Sequence, residues 1–233
     1  MKTIILAGGL GTRISEETID KPKPMVLIDG RPILWHIMSI FASQGFDDFV
    51  IASGYRSDVI EAWLSTLETR WNIELMFTGL QTQTGGRIKM CMDSFPANKY
   101  FATYGDGLGN IDLGNLLNLH VSTKCFATVT AVRPPVRFGL LEVQDNRVVK
   151  FGEKTQADSG WINGGFFVLE PEVSSYITGV EDSFEADTLP RLVRSQELGA
   201  YFHNGFWKPM DTLREKNELE QLVKDGSPPW LEI

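Results

Sequence analysis

The chain has 233 residues, a length that fits one α/β catalytic domain, and 42% of them are apolar, enough for a large core. Its formal net charge of −8 excludes the broad basic face that a nucleic-acid partner demands. The apolar start from Thr3 to Ala7 is too short for a signal peptide core or a membrane span, so a cytoplasmic protein with access to free nucleoside triphosphates is expected.

Lys2 to Leu6 reads as a short buried strand, and Leu6-Ala7-Gly8-Gly9-Leu10-Gly11-Thr12-Arg13 follows it directly. Closely spaced glycines let a backbone turn sharply and aim successive N–H groups at an anion, and Thr12 and Arg13 add a hydroxyl and a fixed cation. The stretch lacks the third glycine of a dinucleotide fingerprint and the Gly-Lys-Ser/Thr of a Walker loop. Alone it reads equally as a plain tight turn. Ten residues on, Lys23 stands between Pro22 and Pro24, which predicts a stiff extended strut presenting a cation; Lys21 reads as a solvated loop lysine.

Strands and helices then alternate: a helix near 32–44 opened by Pro32 and closed by Gly45, a strand near 48–53, a helix near 56–69 and a strand near 73–78. That order implies a Rossmann-like, mostly parallel sheet flanked by helices. His36, on the first of those helices, reads as structural. The polar stretch Gln81 to Arg87 is either a surface loop or a reader of the base through Gln81. Tyr100 to Tyr104 reads as a buried strand delivering Asp106 to its carboxyl end, where ligands of open α/β sheets bind, so Asp106 is the first candidate metal ligand.

After a helix near 112–122 the sequence becomes strand-rich, with strands near 126–132, 139–143, 148–151 and 161–169, and helices near 186–196 and 212–224 close the chain. This predicts a smaller β-rich part for the second substrate: about 1–110 nucleotide-binding and about 111–233 acceptor-binding, within one domain and without repeat or linker. Asp211 reads either as the N-cap of the last helix or as a second carboxylate for a metal. Glu153-Lys154 alone is an ordinary exposed ion pair. The glycines of Asn163-Gly164-Gly165 suit a bulge or a close backbone approach to a ligand. Tyr104 and Trp207 either border a ligand or pack in the core. Cys91 and Cys125 lie among apolar neighbours without metal-ligand spacing and read as buried thiols.

Taken together, GGLGTR, Lys21-Pro22-Lys23-Pro24-Met25, Gly30-Arg31-Pro32-Ile33-Leu34, Tyr104-Gly105-Asp106-Gly107, Phe151-Gly152-Glu153-Lys154, Asn163-Gly164-Gly165-Phe166-Phe167 and Phe206 to Thr212 resemble the sugar-phosphate nucleotidyltransferases. Ser15-Glu16-Glu17-Thr18, Ile33 to Met38, Thr84-Gly85-Gly86-Arg87 and Pro209 to Arg214 are most similar to glucose-1-phosphate cytidylyltransferases. The resemblance implies Mg²⁺-dependent transfer of CMP from CTP to a sugar 1-phosphate, by attack of the acceptor phosphate on the α-phosphorus and loss of pyrophosphate.

For the site, the resemblance implies that Arg13, Lys23 and Asp106 are catalytic. It places Leu6, Ala7, Gly8, Gly9, Gly11, Thr12, Gln81, Gly86 and Arg87 at the nucleotide, and Tyr104, Glu153, Lys154, Asn163, Gly164 and Trp207 at the acceptor. Asp106 and Asp211 would hold Mg²⁺, which favours one or two carboxylates together with phosphate oxygens and water. Two departures stand out. Thr155 replaces the proline after the acceptor lysine, and the connection between the helix near 56–69 and Thr84 is shorter than in the cytidylyltransferases. The second bears on acceptor identity and on whether the protein forms a homo-oligomer. Transfer of another base, a non-sugar phosphate acceptor, and a non-catalytic nucleotide sensor are the competing readings.

Overall fold

Ile4 and Ile5 point to opposite faces of the first strand, yet both are fully buried in the computed structural model, so the sheet is covered on both sides. The structure describes residues 1–9, 11, 14–134, 139–144, 147–153, 160–226 and 228–231.

In chain order, β1 (Lys2–Ala7) leads to α1 (Ser15–Thr18), a 3₁₀ turn (Lys23–Met25) and the paired short strands β2 (Leu27–Ile28) and β3 (Arg31–Pro32). The alternation continues through α2 (Ile33–Ala42), β4 (Asp48–Ser53), α3 (Ser57–Leu64), β5 (Asn72–Phe77), α4 (Thr84–Ser94) and β6 (Tyr100–Tyr104). Then come β7 (Gly107–Gly109), α5 (Leu113–Thr123), β8 (Ala127–Val132), the antiparallel pair β9 (Gly139–Gln144) and β10 (Arg147–Glu153), and β11 (Ile162–Leu169). A 3₁₀ segment (Pro171–Tyr176), a π-helical turn (Phe184–Thr188), α6 (Leu189–Arg194), β12 (Leu198–His203), β13 (Trp207–Pro209) and α7 (Leu213–Lys224) follow.

The main sheet has seven strands in the order β12-β8-β11-β6-β1-β4-β5. β11 runs antiparallel to both its neighbours, and the other pairings are parallel. From β1 the chain builds outward through β4 to β5, then returns to the other side of β1 with β6. The crevice beyond the carboxyl ends of β1 and β6 is therefore the switch point at which open α/β sheets bind ligands. Register fixes what meets there: Leu6 pairs with Tyr104, so the glycine loop and Gly105-Asp106 leave the sheet side by side.

One face of the sheet packs Ile5, Ile51 and Phe101 against α2, Leu116 of α5, Leu219 of α7 and Trp230. The other packs Ile4, Val50 and Ala102 against Ile88, Cys91 and Met92 of α4, Val173, Phe184 and Leu192 of α6. His36 is buried and structural: Ile28 O lies 3.0 Å from its Nε2, and Trp230 Nε1 donates to its Nδ1 at 3.3 Å.

Of the strand-rich second half, β8, β11 and β12 join the main sheet, while β9 pairs with β10 and β13 with β7 apart from it. The helix expected near 56–69 ends at Leu64, and the one expected near 186–196 is a π turn leading into a six-residue helix. Lys23 is not on an extended strut. Pro22 is extended (ψ 154°), but the Pro22 carbonyl accepts from Met25 N and the Lys23 carbonyl from Val26 N, and these bonds curl Lys23–Met25 into a 3₁₀ turn. Cys91 is buried, its thiol pushed up to about 12 by desolvation, whereas Cys125 is only partly buried.

Candidate active site

Both free ends of the switch-point crevice are pinned from below. The Gly8 carbonyl accepts from Arg87 Nη2 at 3.2 Å and from Tyr55 N at 3.4 Å, while the Gly11 carbonyl accepts from Ile14 N and Thr18 Oγ1, each at 3.1 Å. Both carbonyl dipoles are thus engaged inside the protein, which takes two negative ends away from any anion lying on the loop. Gly8 has no room for a side chain: a Cβ there would lie 2.2 Å from Arg87 Nη1.

Arg87, on the first turn of α4, is buried. Its guanidinium donates to Ser53 O at 2.9 Å, to Thr78 Oγ1 and to Gly8 O, tying the ends of β4 and β5 to the loop after β1. Burial lowers its pKa from the usual arginine range. Its place is beneath the loop, against the Gly8 and Ser53 carbonyls. Gly86 is likewise covered, with Val180 against it, whereas Gln81 is exposed. Leu6 and Ala7 are the last residues of β1, and Gly9 faces open space. Thr12, Arg13 and Lys154 lie outside the described residues, as does Thr155, and Glu153 is described only as the last residue of β10.

The centre of the site is Lys23. Its Nζ lies 2.6 Å from Asp106 Oδ2 and 2.6 Å from Asp211 Oδ1, joining residues 83 and 188 positions away. The three side chains are 9%, 28% and 19% exposed, so the cluster faces the crevice with the lysine at its floor. Strand pairing explains the meeting: β7 and β13 run antiparallel with Gly107 opposite Pro209, and Met210 N donates to Asp106 O at 2.8 Å. Asp211 does not cap α7. Thr212 does, in a reciprocal capping box with Glu215, whose Oε2 also accepts from Asp211 N at 2.8 Å. The cap is provided by the next residue, and the Asp211 carboxylate turns to Lys23. Lys216 of α7 in turn reaches Glu17 of α1 at 2.8 Å, which ties α1, on the far side of the glycine loop, to the helix that follows Asp211.

Two carboxylates gripping one ammonium nitrogen form a donor set that suits a small divalent cation, since both oxygens already lie within the span of one ion. Among the described residues no group of three or more His, Cys, Asp or Glu side chains could hold a metal, so the pair would be completed by substrate oxygens or water.

The acceptor-side candidates gather at the same end of the sheet. Trp207 Nε1 donates to Gly164 O at 2.7 Å, and Asn163 Nδ2 donates to Tyr104 Oη at 3.0 Å. Gly165 has φ +79°, and a Cβ there would lie 2.5 Å from the Tyr104 ring, so glycine is required by both backbone and ring. The residue that sequence reasoning missed is Glu185. It accepts from Tyr104 Oη at 2.6 Å, yet it lies in Phe184-Glu185-Ala186-Asp187-Thr188, which carries no motif.

The nucleotidyl transferase family model matches residues 2–216. The chain belongs to the nucleotidyl transferase family. It is 43% identical to the glucose-1-phosphate cytidylyltransferase of Salmonella typhi over 253 aligned residues, covering 99% of this chain and 98% of that protein. It is 38% identical to a probable glucose-1-phosphate cytidylyltransferase of Bacillus subtilis, covering 99% of each. Among solved structures, HddC from Yersinia pseudotuberculosis superposes with a TM-score of 0.76 at 24% identity, over 95% of this chain and 99% of that one, which shows the shared fold. As in other nucleotidyl transferases, the reaction makes and breaks bonds at phosphorus. The described residues place a cation and two carboxylates at the centre of the site. No helix among the described residues is long and apolar enough to cross a membrane.

Proposed function

We propose that this nucleotidyl transferase moves CMP from CTP to glucose 1-phosphate, with Mg²⁺ held by Asp106 and Asp211. The observation that carries the reading is the convergence of both carboxylates on Lys23 beside a glycine loop whose carbonyls are turned inward. The choice of base and acceptor is supported by whole-length similarity to glucose-1-phosphate cytidylyltransferases.

A phosphate oxygen of the acceptor forms the new bond to the α-phosphorus, and the bond from that phosphorus to the bridging oxygen of the β-phosphate breaks to release pyrophosphate. The acceptor phosphate is already ionised at neutral pH, so the protein's work is to align two polyanions and neutralise charge on the departing group. Gly8, Gly9 and Gly11 cradle the triphosphate, Arg13 of the same motif supplies a further cation, and Lys23 turns its ammonium to the α-phosphate. Bound Mg²⁺ supplies further charge neutralisation at the phosphates. Gln81, with Gly86 and Arg87 behind it, bounds the base. Tyr104, Asn163, Gly164 and Trp207 form the acceptor side, and the Glu153-Lys154 motif is assigned to the acceptor by its likeness to the family.

The test is pyrophosphate release with Mg²⁺ across CTP, UTP, dTTP, GTP and ATP, each with glucose 1-phosphate, using Asp106→Asn as the inactive control. Turnover with CTP alone is the expected result, and turnover with another nucleotide in its place refutes the base assignment. The Salmonella alignment spans 253 positions against 233 residues here, which favours one second reading, a different phosphorylated acceptor. It predicts CTP binding without pyrophosphate release until the acceptor is changed.

A further inference from the structure

Tyr104, Asn163 and Glu185 form a hydrogen-bonded chain whose direction is fixed at both ends. A carboxylate can only accept, so Tyr104 Oη must spend its proton on Glu185 Oε1, 2.6 Å away. At the other end Gly165 N can only donate, so it takes Asn163 Oδ1 at 2.8 Å, and Asn163 must present Nδ2 to Tyr104 at 3.0 Å. The groups left over include one lone pair on Tyr104 Oη and one N–H on Asn163 Nδ2. That pair of groups suits a hydroxyl, which both donates and accepts.

Glu185 is itself anchored. Its Oε2 accepts from Thr84 Oγ1 at 2.6 Å and from Ser183 Oγ at 3.0 Å, and Thr84 Oγ1 accepts from Phe184 N at 2.8 Å. The anchor lies in a π-helical turn, a local geometry that recurs at functional sites. Tyr104 is two residues from Asp106, at the same end of β6. The chain therefore lies at the end of the sheet that also carries Asp106 and Lys23.

We propose that Glu185 is a positioning residue for the acceptor: its charge sets the polarity of the Tyr104–Asn163 chain so that the chain receives a hydroxyl of the phosphorylated acceptor. This rests on the acceptor reading above. Glutamine at 185 has nearly the same shape but can donate as well as accept, so the Tyr104 proton is no longer committed to residue 185 and the group that Tyr104 offers a ligand loses its fixed role.

The experiment is calorimetric binding of CDP and of CDP-glucose to the wild type, Glu185→Gln and Tyr104→Phe, with steady-state kinetics alongside. Glu185→Gln is expected to weaken CDP-glucose about tenfold while leaving CDP within about twofold, and to raise the KM for glucose 1-phosphate rather than that for CTP. Adding Glu185→Gln to Tyr104→Phe is expected to cost little more, because both act through one chain. Equal effects on the two ligands, no effect on either, or full additivity would overturn the proposal while leaving the cytidylyltransferase reading intact. A wild type that binds CDP but not CDP-glucose would fell the glucose reading and this inference with it.

Discussion

Replacing Lys23 by methionine tests the centre of the site most directly. The lysine makes two charge-assisted hydrogen bonds of 2.6 Å each from a nearly buried position. Such bonds contribute about 1.5–3 kcal/mol each, and because Asp106 and Asp211 keep 28% and 19% exposure the lower end applies. Removing the ammonium also leaves two carboxylates facing one another, so Lys23→Met is expected to cost about 3 kcal/mol. For a chain of this size that is a fall in melting temperature of about 6–12 °C. The same loss uncovers a cation site. Without nucleotide, the variant is expected to bind Mn²⁺ about tenfold more tightly than the wild type, and Mg²⁺ to recover much of its lost melting temperature. Turnover, by contrast, is expected to fall by about 10²–10³, since a preorganised charge at the transferred phosphate is gone. Scanning calorimetry with and without Mg²⁺, Mn²⁺ titration followed by electron paramagnetic resonance, and pyrophosphate release measure the three effects. An unchanged melting temperature, with the same Mn²⁺ affinity in both proteins, would refute the view that Lys23 holds the carboxylates in place of a metal.

Gly8→Ala places a methyl 2.2 Å from Arg87 Nη1, so it is expected to cost about 1–3 kcal/mol by overpacking and to raise the KM for CTP more than that for the acceptor, read from melting and kinetics. Thr212→Ala removes the α7 cap and is expected to cost about 1 kcal/mol and to lower Mn²⁺ affinity, because the capping box also holds the Asp211 backbone. Burial lowers the pKa values of His36, His120 and His203 below the ordinary imidazole value of about 6.5; for His120 the neighbouring Glu170 opposes this without reversing it. The unfolded chain then binds more protons, so stability is present in full above about pH 6.5 and falls as the pH drops below it. Melting temperature is accordingly expected to fall between about pH 7 and about pH 5.5, and a rise over that window would contradict neutral burial of these rings.

Local pattern carried much of the architecture. The apolar run of β1 followed by glycines, the helical spacing after Pro32, and the apolar strand ending at Tyr104 each specify an element from neighbours in sequence, and their alternation specifies a mostly parallel sheet. Asp106 was legible for the same reason, since a residue just past the carboxyl end of a buried parallel strand stands where such sheets bind ligands. The choices left open by sequence were settled by contacts between distant segments. Whether Asp211 caps a helix or faces a cation depended on Thr212 taking the cap and on β13 pairing with β7. That Arg87 holds the Gly8 and Ser53 backbone depended on the ends of β1, β4 and β5 closing around it. Pro24 favoured an extended Lys23, and two turn hydrogen bonds outweighed that preference. Glu185 had no signal at all, because its partners Thr84 and Tyr104 come from separate elements and its own segment has no distinguishing composition. A sequence encodes each element through periodicity over a few residues, whereas which carboxylate meets which cation is decided by packing between segments up to 188 positions apart.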